Sequence, residues 1–99
     1  MKYMNLSEKI KKVGKVGASE YERYLDLPDG LVYERFEGNE EEDAYTKTAC
    51  QISYFSDIDD VMVYSLTEYP DGDNSGDFIH LCELPIPVLQ NILTFIDSL

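Results

Sequence analysis

Leu6, Ile10 and Val13 recur at helical spacing with lysines between them, behind Asn5 or Ser7 as candidate caps. The pattern predicts a first helix running to about Val16, broken at Gly14 and Gly17. Residues 20–27 (EYERYLDL) read as a strand rich in tyrosine and leucine. Pro28, Asp29 and Gly30 form a turn signal, since proline presets φ and glycine accepts the left-handed region. Residues 31–37 are then either the returning strand or a short helix, and 38–43 (GNEEED) a solvated acidic loop.

Residues 45–55 alternate, which places Cys50, Ile52 and Tyr54 on one strand face. Residues 57–60 read as a turn, 61–69 as the next strand and 71–77 as a polar loop. The last strand, 78–84, is apolar on both faces and is therefore expected to be central or covered. Pro87 suits the first turn of a helix over 87–98, and Val88, Leu89, Ile92, Leu93, Phe95, Ile96 and Leu99 make a wide apolar stripe. The elements add up to an α+β fold: an antiparallel sheet of four to five strands with an N-terminal and a C-terminal helix packed on it.

Composition narrows the class. The chain has 99 residues, so residues 1–99 are expected to form a single acidic domain. No apolar run approaches the ~20 residues that span a bilayer, and the first residues lack the apolar core of a secretory leader. Two cysteines are too few for a disulfide scaffold, so a cytoplasmic location is expected. The net charge of −12 argues against direct nucleic-acid or membrane binding. That charge is segregated. Lysines crowd residues 1–15, whereas residues 48–99 carry acids and no lysine or arginine. Such a field weakens the fold by self-repulsion but draws in basic partners.

Catalytic and cofactor chemistry find little footing. The lone histidine, His80, sits between Ile79 and Leu81 and reads as a core or half-buried residue, with Cys82 two strand positions away and out of hydrogen-bond reach. Cys50 and Cys82 read as buried thiols, and neither zinc spacing nor a phosphate-cradling glycine loop occurs. Asp71–Gly76 resembles the first half of a calcium loop, but position twelve is Cys82 instead of a bidentate glutamate, so a hairpin loop is favoured. No enzyme activity, metal or cofactor is expected.

The acids have a different use. Carboxylates at strand spacing can stand where phosphates of DNA would lie in a cationic groove. Glu20, Glu22 and Asp26 fall on one side of the first strand, Glu40, Glu41, Glu42 and Asp43 form a dense loop cluster, and Asp57, Asp59 and Asp60 a turn-borne group. Exposed tyrosines among Tyr21, Tyr24, Tyr33 and Tyr45 would supply apolar contact.

The chain resembles the phage uracil-DNA glycosylase inhibitors, the Ugi family. Asn5-Leu6-Ser7-Glu8 with the following lysines and Gly14-Lys15 looks like that family's first helix, and Glu22–Pro28 like its edge strand from a key glutamate to Leu-Pro. Gly38-Asn39, Thr48-Ala49, Asp60-Val61-Met62 and Glu68-Tyr69 recur in the same order. The likeness implies that Glu22 enters the DNA groove of the enzyme, and that Met62 with Val61 or Val63 helps line a pocket for an apolar residue of it. Arg23 and Tyr24 depart from the family pattern, and the C-terminal helix is an addition to it. The expected partner is thus a basic, DNA-binding protein, uracil-DNA glycosylase first. An immunity protein against a nuclease toxin, a counter-defence protein against CRISPR effectors, or an accessory module using the C-terminal helix would show much the same residues.

Overall fold

The computed structural model describes residues 2–38 and 44–99, with side chains described from Leu6 onward. The elements are α1 (Lys2–Val13), β1 (Lys15–Val16), β2 (Glu22–Phe36), β3 (Tyr45–Phe55), β4 (Asp60–Glu68), β5 (Asn74–His80), a 3₁₀ turn (Leu81–Glu83) and α2 (Ile86–Asp97). The strands form one antiparallel sheet in the order β1-β2-β3-β4-β5, so each strand pairs with its sequence neighbour. This is the expected α+β architecture, with both helices on one face.

Strand alternation decides what each face carries. Leu25 and Leu27, Ile52 and Tyr54, and Val61 and Val63 point to the helices, where they meet Leu6 and Ile10 of α1 and Ile92 and Ile96 of α2. Ile10, Ile52, Val63 and Ile92 are fully buried. The other face carries half-buried Tyr24, Phe55, Met62, Tyr64 and Phe78, and the Phe78 ring stands edge-on to both Phe55 and Tyr64. The molecule measures 44 × 28 × 21 Å, and its 6547 Å² of surface exceeds the ~5,800 Å² expected of its mass. The excess reflects strand ends such as 34–36 and 74–77 that are exposed to water.

Several boundaries differ from the sequence expectation, each for a local reason. The first helix starts before Asn5 and Ser7, which are interior helical residues, and ends at Val13 instead of Val16. A side chain at position 14 would strike the Ile10 carbonyl and crowd the Tyr24 backbone, so Gly14 lets the chain cross onto the sheet as β1. The strand expected over 20–27 is β2 and begins at Glu22, because Glu20 and Tyr21 lie in the preceding turn. Pro28-Asp29-Gly30 does not reverse the chain. Asp29 and Gly30 both take φ 58°, and residues 27–30 bulge opposite Cys50 within one long strand. Residues 31–36 are therefore strand, but a continuation instead of a return.

Cys50 is itself a bulge against β4, which removes it from the face of Ile52 and Tyr54. The polar loop is shorter than expected. It is a hairpin closed by Tyr69 N–H to the Asp73 carbonyl (2.9 Å) and Gly72 N–H to the Tyr69 carbonyl (3.1 Å), with Gly72 at φ 92°, and Asn74 already begins β5. β5 is an edge of the sheet, not a central strand. Its apolar residues on both faces are explained by Ile79 against the core and Phe78 in the aromatic cluster opposite.

Candidate functional site

Glu22 is 6% exposed and turned inward, contrary to the expectation that it projects into a partner. Its carboxyl group accepts hydrogen bonds from Ser53 Oγ (2.8 Å) and the Ala18 N–H (3.1 Å), while its own backbone bonds Gly17 and Ser19. Gly17 has no side chain because one would occupy the place of that carboxyl group. Glu22 thus organises the turn into β2. Glu20 is exposed in that turn, and Asp26 is exposed on β2 but held by Lys15 Nζ (3.4 Å) and Gln51 Nε2 (3.1 Å). Tyr24 lies half-buried between them. Among the described residues Arg23 bonds no carboxyl group; its guanidinium donates to the carbonyl oxygens of Glu20 (2.8 Å) and Glu22 (3.0 Å). Glu40, Glu41, Glu42 and Asp43 lie outside the described residues.

The second acidic group is better placed. Asp57 and Asp59 stand exposed in the β3–β4 turn, and Asp60 opens β4. Asp59 takes φ 49°, and the Tyr54 hydroxyl donates to its carboxyl group at 2.7 Å, which fixes the turn. That bond, with burial adding to it, raises the Tyr54 pKa, and Lys11 stacked 5.2 Å from the ring opposes the shift. Asp60 accepts from the Val61 N–H (2.9 Å), and its other oxygen lies 3.5 Å from His80 Nδ1.

These residues surround a pocket of about 370 Å³ at the end of the sheet, between α1 and the chain leaving β5. Tyr54, Val61 and Leu81 form its apolar wall, and Asp59, Asp60 and His80 its rim. Of the three residues that the family resemblance assigns to a pocket, only Val61 lines this one. Met62 belongs to the opposite sheet face, and Val63, fully buried in the core, is beyond a partner's reach. His80 is well exposed, not a core residue, and Cys82 is exposed in the 3₁₀ turn instead of buried on a strand. Cys50 is half-buried, and its burial pushes the thiol pKa up, which makes it a poor nucleophile.

Three described lysines are engaged by other acids, although Lys11 also stands over Tyr54 within electrostatic reach of Asp59. Lys11 pairs with Glu8 (2.8 Å), Lys15 with Asp26 and Lys47 with Glu34 (3.0 Å). Among the described residues, no lysine or arginine pairs with Asp57, Asp59, Asp60, Glu68, Asp71, Asp73, Asp77 or Glu83. These acids line the β4–β5 margin from the hairpin to the pocket. Sequence reasoning named only the first three; the signal for the rest was the stretch from residue 48 without a base.

A second pocket, about 460 Å³, lies at the far end of the sheet beside Phe36, Tyr45, Glu68 and Tyr69. No described helix is long and apolar enough to cross a membrane. Compared with protein-family models, with curated proteins and with solved structures, the chain matches none.

Proposed function

We propose that the protein is a non-catalytic acidic inhibitor that sits in the DNA-binding groove of a basic enzyme, with uracil-DNA glycosylase the first target. The observation that carries this reading is the acidic β4–β5 margin, whose acids pair with no described lysine or arginine, ending at the pocket beside Asp59, Asp60 and Val61. An array of unneutralised carboxyl groups gives fast, salt-sensitive encounter with a cationic groove. An adjacent concavity with an apolar wall adds the contact that charge alone does not supply. The enzyme is named by the family resemblance; the acidic surface is argued from the residues.

On this reading the working surface is the β3–β4 turn, because Glu22 on the β2 side is buried. In a uracil-excision assay, Asp57→Lys is expected to weaken inhibition at least about tenfold, because it sets a cation against a cationic groove. Asp97→Lys, exposed at the end of α2, is expected to leave inhibition nearly unchanged. Equal effects of the two would reject the placement of the surface.

A further inference from the structure

We propose that the free edge of β5 is a docking strand for an extended basic segment of a partner, which adds to the sheet by backbone pairing. Among the described strands β5 has a neighbour on one side only, so its outer backbone groups have no strand partner. Edge strands of this kind are templates for pairing, and proteins usually blunt them with charged side chains, of which β5 has only Asp77, or with proline or a bulge. β5 (NSGDFIH) has neither lysine nor proline, and its seven residues pair with β4 without a register shift.

The orientation of its backbone follows from one bond. The His80 N–H is bonded to Glu83 Oε2 at 2.8 Å, which turns it away from β4. N–H and C=O of one strand residue point to the same side, and sides alternate along the strand. Asn74, Gly76 and Phe78 therefore present their groups outward, while Ser75, Asp77 and Ile79 bond β4. Glu83 closes the edge at His80, which leaves Asn74–Phe78 open for pairing.

Charge selects the occupant. Asp77 stands mid-strand, with Asp71 and Asp73 before it and Glu83 beyond, and none of these pairs with a lysine or arginine among the described residues. A second copy of the chain is disfavoured. Antiparallel self-pairing through Gly76 and Phe78 sets the two Asp77 side chains opposite or diagonal to one another, and like charges so placed repel. A segment with lysine or arginine at alternate positions meets both needs, hydrogen bonds for the edge and cations for the acids. This holds whatever the inhibited enzyme is, and its test uses no enzyme.

The test is amide hydrogen exchange of the full chain, resolved by residue, with a synthetic peptide of alternating lysine and valine as probe. A peptide of alternating lysine and proline matches its charge but lacks half the amide donors. The expected result is that Gly76 and Phe78 exchange quickly in the free protein and slow at least tenfold with the lysine–valine peptide alone. Asp77→Lys should reduce that protection while Ile52 and Val63 stay protected, showing the fold intact. Protection by both peptides, by neither, or in peptide-free protein at rising concentration would overturn the proposal, the last by showing that a second copy fills the edge.

Discussion

At Glu22 the acidic character of the chain serves the fold. Both carboxyl oxygens accept hydrogen bonds inside the protein, one from Ser53 and one from the turn at Ala18. Removing a buried acceptor strands its donors, which costs about 1–3 kcal/mol for each group left unpaired. Glu22→Ala is therefore expected to lose about 3 kcal/mol in chemical denaturation, whereas Glu20→Ala, exposed in the same turn, should change stability little. A loss of inhibition in a Glu22 variant then reports a damaged turn, not a missing contact.

Tyr54 makes a second residue-scale claim. Its hydroxyl donates to Asp59, so the folded protein favours the protonated phenol and its pKa is raised. The stabilisation is fully present below the unfolded tyrosine pKa of about 10 and is lost as pH rises through the higher folded value. Of the eight tyrosines, Tyr54 is expected among the last to ionise by ultraviolet tyrosinate absorbance. Tyr54→Phe should remove that late component and flatten the alkaline loss of stability. An unchanged titration curve would contradict the assignment.

Elements were legible where hydrophobic spacing and burial agree. The stripe of the C-terminal helix turns Ile92 and Ile96 into the core, and β4 and β3 beyond the Cys50 bulge follow their alternation. What local sequence hid were non-local pairings. Pro28-Asp29-Gly30 has turn chemistry, yet the strand beyond it pairs with the same neighbour as the strand before, so the turn collapses to a bulge. Ile79 and Phe78 made β5 look covered, because one strand cannot report that a cluster on the open face needs an aromatic. The acids of the β3–β4 turn were readable as a group, whereas the inward turn of Glu22 depends on Ser53, thirty-one residues away.

The packing makes its own quantitative claim. Ile10 ties α1 to the sheet and is fully buried, so Ile10→Ala is expected to cost about 3 kcal/mol, whereas Ile86→Ala, 69% exposed, should cost under about 0.5 kcal/mol. Similar costs in chemical denaturation would contradict the described core.

Over the whole molecule, charge and shape point the same way. Bases gather on α1 and the β1–β3 side, where acids pair with several of them, whereas the β4–β5 margin carries acids without lysine or arginine, and the helices cover one face only. Such a particle has a large field for its size and a long sheet with two unlike faces. The most direct test of the inhibitor reading is excision of uracil from duplex DNA by a bacterial uracil-DNA glycosylase, titrated with this protein at low and at high salt. Stoichiometric inhibition is expected at low salt, weakening steeply as salt rises. Full excision with micromolar protein at low salt would contradict it.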